Sequence, residues 1–232
     1  MSTLLECKDL TKAYGHVTAI DHINLTIESG HIIGLLGPNG SGKTTLIKMI
    51  NGLLTPTSGT LYMRQQPIGV ESKKHISYLP DHTYLNMNQR VSDVIAFFAD
   101  FYEDFDSNRA YGMLEKLQIN PKTRLKSMSK GTKEKVQLIL VMSRHADLYV
   151  LDEPIAGVDP AARDYILNVI LSNYEPEASI LISTHLIADI ENILDEVIFI
   201  QNGQIRLTSS VDDIRENQGK SVDTLFREVF RC

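Results

Sequence analysis

The sequence predicts a mixed α/β fold in which a helical segment interrupts a sheet-containing core. The first third of the chain holds short apolar or alternating runs, which are typical of strands. From about residue 91 to 145 the apolar positions instead recur with helical spacing. Short apolar runs then return, separated by helical signals, as expected when the chain re-enters the same core.

In the first third, residues 4–10, 22–27, 32–36 and 59–63 are predicted strands, and Pro56, Ser58 and Gly59 mark the turn before the last of them. A helix is expected over about 43–51. Residues 75–79 form another predicted strand, which stops at Pro80 because proline disfavours continuation.

The middle segment is predicted to form three helices. The first has apolar residues at helical spacing, namely Val94, Ile95, Phe98, Phe101 and Tyr102. Ser107 is expected to cap a second helix that runs through Leu117, and a third is expected after Ser129. The aromatic residues 97, 98, 101 and 102 are candidates for a partner contact, although a purely structural core role is the alternative for at least half of them.

In the last third, residues 148–151 and 180–183 are predicted buried strands. Asp159 followed by Pro160 predicts a helix start. Residues 197–200 and 205–207 are expected to pair through an Asn202-Gly203 turn, and residues 222–230 to form a closing amphipathic helix.

Composition limits the function classes. A chain of 232 residues with 43% hydrophobic and 22% charged residues suits one folded domain or a two-lobed one. No run approaches about 18 apolar residues, and the first residues lack the pattern of a signal peptide. The net charge of −6 argues against nonspecific nucleic-acid binding as the main activity. We expect Cys7 and Cys232 to be free thiols of a cytosolic chain.

A glycine-rich segment directly follows the third predicted strand and fits the pattern G-x-x-x-x-G-K-T. Glycines let backbone N–H groups approach an anion, and the following helix adds the positive end of its dipole. Lys43 is therefore expected to reach the β- and γ-phosphates of a nucleotide, and the Thr44 hydroxyl to ligate Mg²⁺. A turn that binds nothing is the alternative. The predicted nucleotide-binding residues here are Gly37, Pro38, Asn39, Gly40, Ser41, Gly42, Lys43, Thr44 and Thr45.

Polar residues end two other predicted strands. Asp152 and Glu153 follow an apolar run, where Asp152 would be a Mg²⁺ partner and Glu153 could orient or deprotonate an attacking water. A solvated acidic turn is the alternative. His185 ends the next strand and could face the γ-phosphate, although a lone histidine after a strand is more often a hydrogen-bonded turn residue.

These motifs resemble the ATPase subunits of ABC transporters over nearly the whole chain. The diagnostic segment is Met128-Ser129-Lys130-Gly131-Thr132, which is similar to the family signature L-S-G-G-Q. The interval of 23 residues from Ser129 to Asp152 matches the family. Residues 156–159 resemble the loop through which opposed subunits communicate. His185 is similar to the family's switch histidine, and Tyr14 to the aromatic that stacks on adenine.

The sequence also departs from the family pattern. Asp81 stands where the family has a glutamine, and is still able to contact Mg²⁺ or its water. Lys130 and Thr132 replace the usual glycine and glutamine of the signature. In both respects the chain resembles the ATPases of bacterial exporters of the bacitracin and acetoin-utilisation type.

The resemblance implies an α/β P-loop NTPase (RecA-like) core, with an N-terminal antiparallel β subdomain and an inserted α-helical subdomain. Residues 1–82 and 146–232 would form the two parts of the nucleotide-binding core, and residues 83–145 the helical subdomain. It implies ATP and Mg²⁺ as cofactors, with Glu153, His185 and Lys43 as catalytic residues and Thr44, Asp152 and Asp81 at the metal. Ser129, Lys130, Gly131 and Thr132 would contact the ATP of an opposite subunit.

The implied function is ATP hydrolysis that powers a separate integral membrane permease, in an exporter, from the cytoplasmic face of the membrane. The chain would form a homodimer, or a heterodimer with another ABC ATPase subunit, and would have no nucleic-acid partner. Basic residues near the signature suit an arriving phosphate, although an exposed helix face explains most of them individually. The alternative function is that of a soluble ABC-type ATPase regulator not engaged in transport.

Overall fold

The computed structural model describes residues 2–156, 158, 160–175 and 177–230. Within them, the strands are β1 (Thr3–Tyr14), β2 (Val17–Glu28), β3 (Ile32–Leu36), β4 (Ser58–Met63), β5 (Gln66–Pro67), β6 (Ile76–Leu79), β7 (Leu148–Asp152), β8 (Ser179–Thr184), β9 (Glu196–Gln201) and β10 (Gln204–Ser210). The helices are α1 (Lys43–Ile50), α2 (Val91–Phe101), α3 (Ser107–Lys116), α4 (Lys130–Met142), α5 (Pro160–Ser172), α6 (Ile187–Ile190), α7 (Val211–Gln218) and α8 (Val222–Val229).

The described strands form two sheets. The smaller one is antiparallel, with the order β2-β1-β4-β5. The larger one has the order β10-β9-β3-β8-β7-β6, and all its pairs are parallel except the β9–β10 hairpin. Because parallel strands present their carboxyl ends at one edge, the loops after β3, β6, β7 and β8 meet there.

Each face of the larger sheet is covered by a separate hydrophobic core, because side chains alternate along a strand. On β3, Ile33 and Leu35 pack toward the smaller sheet and α1, whereas Ile32 and Leu36 pack toward the other helices. A fully buried parallel strand should be apolar on both faces, and all five residues of β3 are buried. The sheet is thus a rigid middle layer that holds the loops at its edge.

The predicted fold class is confirmed: an antiparallel β unit, a largely parallel sheet and a group of helices inserted between two of its strands. The inserted helices are α2, α3 and α4, which all lie between β6 and β7 along the chain. The Asn202-Gly203 turn is confirmed too, since both residues have positive φ between paired strands. No helix within the described part of the chain combines the length and apolar character that crossing a membrane requires.

Three element predictions need correction. Asp106, not Ser107, caps α3, because its carboxylate accepts the backbone N–H of Arg109 at 3.0 Å. The strands β1 and β2 extend well beyond the predicted ranges, because they pair with each other along most of their length. The helices α6 and α7 and the short strand β5 were not predicted. Asp159, expected to cap α5, and Cys232 lie outside the described residues.

Candidate nucleotide-binding site

Four parallel strands bring predicted site residues to one edge of the larger sheet. Gly37 follows β3, Asp81 follows β6 by two residues, Glu153 follows β7, and His185 follows β8. These residues are far apart in sequence, so the sheet order alone assembles them. The carboxyl edge of a parallel sheet is where α/β proteins bind ligands.

The glycine-rich loop is shaped by close backbone packing. A Cβ atom at Gly37 would lie 2.3 Å from the carbonyl oxygen of Ile200, and one at Gly42 would lie 2.7 Å from that of Ala19. Gly42 also has a φ of 111°, in a region that other residues rarely adopt. As the N-cap of α1 it offers no capping side chain, so the first N–H groups of the helix remain available to an anion.

The β9–β10 turn supports this loop from behind. The N–H of Gly203 donates to the carbonyl of Ser41 at 2.9 Å, and the Gly203 carbonyl accepts the N–H of Asp21 at 2.9 Å. A Cβ at Gly203 would lie 2.7 Å from the Ala19 carbonyl oxygen. Three segments distant in sequence therefore fix the position of the loop.

Lys43 is buried against the loop that precedes it. Its Nζ donates to the carbonyl oxygens of Gly37 at 2.7 Å and Pro38 at 3.2 Å. Burial lowers the pKa of Lys43, while the charges of Glu153 and Asp152 act in the opposite direction. The ammonium group is thus held at the base of the loop by oxygen atoms, opposite two carboxylates.

A cavity of about 280 Å³ lies between the loop and the acidic residues. It contains nine of the predicted nucleotide-binding or metal-binding positions and the predicted catalytic Glu153, together with Ala19, which was not predicted. Its lining residues are Ala19, Asn39, Gly40, Ser41, Gly42, Lys43, Thr44, Thr45, Asp81, Asp152 and Glu153.

Asp152 is almost completely buried on the same face of the sheet as α1. Burial raises the pKa of Asp152, and the nearby Asp81 and Glu153 carboxylates add to that effect. The hydrogen bond from the Ser183 hydroxyl and the nearby Thr44 hydroxyl act against it by favouring the charged form. Its Oδ2 atom is buried and has no hydrogen-bond partner among the described residues.

The residues around Asp152 fit a magnesium ion that is also bound by phosphate. The unpartnered Oδ2 of Asp152 lies near the Thr44 hydroxyl, and both are oxygen donors of the kind that Mg²⁺ prefers. Water and phosphate oxygens would supply the other ligands. Within the described ranges, no three His, Cys, Asp or Glu side chains are grouped so as to hold a metal by themselves. The donor set is therefore complete only with a nucleotide present.

Glu153 and His185 form a pair at the end of the sheet. The Nδ1 atom of His185 lies 3.0 Å and 3.1 Å from the two carboxylate oxygens of Glu153. Glu153 has a φ of 53°, in the left-handed region that is sparsely populated by non-glycine residues. Such backbone conformations persist where surrounding contacts hold them, and they concentrate at functional sites.

The remaining predicted residues lie outside this cavity. Tyr14, at the end of β1, is half exposed, and the Lys12 Nζ lies 5.3 Å from its ring centre. Ser129 caps α4 by accepting the N–H of Thr132 at 3.1 Å, and Lys130 lines a neighbouring cavity. Of the predicted communication loop 156–159, Gly157 and Asp159 lie outside the described residues.

Sequence reasoning missed Ser183, whose hydroxyl contacts Asp152. Its signal was present, because a serine ends the apolar run two residues before His185. With a side-chain period of two, that position faces the same side as Leu181 and α1.

Comparisons with known proteins identify the family of the chain. Residues 20–156 match the family described as ABC transporter. This chain belongs to that family. The Bacillus subtilis ABC-type transporter ATP-binding protein EcsA is 30% identical over 242 residues, covering 98% of this chain and 96% of EcsA. The SkfA peptide export ATP-binding protein SkfE of the same organism is 30% identical, with 87% of each chain covered.

A solved structure of an ATP-binding subunit of an ABC transporter has a TM-score of 0.89 to this chain at 28% identity, covering 99% of this chain and 100% of that one. The chain is therefore an ABC transporter ATP-binding subunit that binds and hydrolyses ATP. The predicted family is confirmed, and the predicted enzyme class with it.

Replacing Lys43 with alanine is expected to weaken ATP binding at least about 10-fold, because charge-assisted hydrogen bonds contribute about 1.5–3 kcal/mol each. Titration calorimetry with Lys43→Ala measures this directly. Lys48→Ala is the matched control, since Lys48 lies on the same helix but lines a different cavity. Equal ATP affinity for Lys43→Ala and Lys48→Ala would contradict the placement of the phosphates over this loop.

Proposed function

We propose that this ABC ATPase subunit pairs with a second subunit around two ATP molecules and thereby drives a separate membrane permease in an exporter. The pair is a homodimer or a heterodimer with another ABC ATPase. The observation that carries the proposal is the position of the segment 128–132. Its Ser129, Lys130 and Gly131 are exposed, and it lies outside the chain's own phosphate cavity.

Gly131 supports this assignment. It lies inside a helix, where glycine costs about 1 kcal/mol relative to alanine, yet a Cβ atom there would meet nothing within 4 Å. No contact within the described residues requires a glycine at this point. A close approach from outside the chain would, and the N-terminus of α4 is suited to a phosphate held by the second subunit.

Within the site, we assign Lys43 and the loop 37–45 to the phosphates, and Tyr14 to the adenine. Thr44 and Asp152 would hold Mg²⁺, with Asp81 close enough to contact its water. When bound, Mg²⁺ neutralises charge on the β- and γ-phosphates. Glu153 orients the attacking water and accepts its proton, and His185 fixes the Glu153 carboxylate while facing the γ-phosphate.

The proposed permease contact is on α2. Phe97 and Phe101 are exposed and their rings stack with centres 6.0 Å apart, whereas Phe98 and Tyr102 pack against the core. Half of the four predicted aromatic residues are thus available to a partner. The export direction is supported by SkfE, whose name states peptide export. We place the assembly at the cytoplasmic face of the membrane.

The experiment that tests this proposal is affinity purification of the tagged chain from detergent-solubilised membranes of its source cells. We expect one multi-span membrane protein to co-purify in stoichiometric amount. A Phe97→Ser/Phe101→Ser variant should lose that protein and keep its ATP affinity, because both side chains are exposed. Recovery of ribosomal proteins or DNA in place of a membrane protein would favour a regulator not engaged in transport.

A further inference from the structure

Ser183 is a buried hydroxyl that directly follows three apolar residues of β8, Ile180, Leu181 and Ile182. It lies on β8, directly opposite Asp152 on β7 in the parallel register. Both side chains face α1, since they share the face of Leu181 and Val150. The great majority of buried polar groups are hydrogen-bonded, and Ser183, which is completely buried, makes bonds to two neighbouring residues.

One hydroxyl contacts both acidic residues. The Ser183 Oγ donates to Asp152 Oδ1 at 2.5 Å, and it accepts the backbone N–H of Glu153 at 3.2 Å. The same N–H also donates to the Ser183 carbonyl at 3.0 Å. Ser183 therefore fixes the side chain of one acid and the backbone of the next.

These bonds have two geometric consequences. With Oδ1 engaged by Ser183, the Asp152 carboxylate is held in one orientation and Oδ2 is left without a partner. The N–H bond to Ser183 anchors the left-handed backbone of Glu153, at a φ of 53°, which directs its carboxylate to His185. Strained conformations of this kind require such anchoring contacts.

We propose that Ser183 is a positioning residue for ATP hydrolysis, orienting Asp152 toward the magnesium ion and Glu153 toward the attacking water. This inference rests on the roles proposed above for Asp152 and Glu153. Ser183 is not among the residues that line the phosphate cavity. Its loss should therefore reduce turnover and the contribution of Mg²⁺ to binding, but not the contact of the loop with the phosphates.

The test uses Ser183→Ala and Ser183→Cys. Alanine removes the hydroxyl, and cysteine fills a similar space with only a weak donor. Ser179 provides the matched control. It is on the same strand and is equally buried. At the opposite end of the strand, its hydroxyl donates to the Glu28 carbonyl and accepts the backbone N–H groups of Gly30 and His31.

We expect kcat to fall about 10-fold or more in both Ser183 variants, as when a group that positions the reacting atoms is lost. ATP affinity in EDTA, measured by calorimetry, should change less than about 2-fold. In a Glu153→Gln background, which removes turnover, adding Mg²⁺ should increase ATP affinity less with Ser183→Ala than with Ser183 intact. Ser179→Ala should leave kcat and the Mg²⁺ effect unchanged.

Two results would overturn the inference. One is wild-type turnover and an unchanged Mg²⁺ effect in either Ser183 variant. The other is an equal loss in Ser179→Ala, which would indicate general destabilisation of β8. If Glu153→Gln itself retained turnover, the proposed roles would fail first, so the two failures are distinguishable.

Discussion

The Glu153→Gln variant is expected to bind ATP normally and to lose at least about 100-fold of the hydrolysis rate, the lower end of what a positioned general base contributes. Glutamine has nearly the same shape as glutamate, so the backbone contacts with Ser183 should persist. An amide cannot accept the proton of the attacking water. The substitution also replaces one of the two carboxylate oxygens that face the His185 Nδ1 atom with an amide nitrogen. Phosphate release in saturating Mg·ATP measures the rate.

A second glutamate–histidine pair in the chain provides the control for this variant. Glu175 lies 2.7 Å from the Nδ1 atom of His145, at the opposite edge of the sheet from the phosphate loop. Glu175→Gln breaks a comparable contact and should leave turnover within about 2-fold, as for most surface substitutions. Hydrolysis at the wild-type rate by Glu153→Gln would remove Glu153 from its proposed role.

The local features of the site could be predicted because each depends on a short segment. The loop 37–45 lies between a strand and a helix, and this local order is sufficient to predict phosphate binding without knowledge of the rest of the fold. Asp152 and Glu153 end a strongly apolar strand, so their position at a sheet edge followed directly. In both cases the structure depends on a few consecutive residues, and local sequence patterns predict such structure well.

The long-range contacts that hold the site residues in place could not be predicted, because they depend on which strands are neighbours in the sheet. The contact of Gly203 with Ser41 joins segments more than 160 residues apart in sequence. Likewise Ser183 meets Asp152 only because β8 pairs with β7, and the sequence does not state that pairing. The positive φ of Glu153 is set by the same contacts, since nothing about a glutamate in isolation favours it.

Helix α7 shows a different reason for failure. It has only two buried apolar residues, Val211 and Ile214, so hydrophobic periodicity was too weak to predict it. Capping signals were nevertheless present. Ser210 caps its start and Gly219 ends it in the left-handed conformation.

The cap of α3 was misplaced by one residue. Asp106 rather than Ser107 is the N-cap, because only the side chain one residue before the helix can reach the third N–H of the helix.

Combining Ser129→Arg with Glu153→Gln is expected to abolish ATP-dependent pairing of the chain. Glu153→Gln alone should elute as a dimer in Mg·ATP, because in the proposed pair ATP that is bound and not hydrolysed would continue to hold the two subunits together. Ser129 is exposed at the start of α4, so an arginine can be accommodated in the monomer. In the pair, the same side chain would occupy the space of the second subunit's γ-phosphate. Size exclusion with light scattering, with and without ATP, measures the change.

A second serine cap separates this effect from simple loss of a helix cap, which costs about 1 kcal/mol. Ser221 caps α8 as Ser129 caps α4: each accepts an N–H at 3.1 Å from the threonine three residues later. Glu153→Gln/Ser221→Arg should therefore still dimerise with ATP. If Glu153→Gln/Ser129→Arg also dimerised, while binding ATP as tightly as Glu153→Gln, the segment 128–132 would not serve an opposite nucleotide. The exposed glycine at 131 would then need another explanation, because nothing it contacts among the described residues requires it.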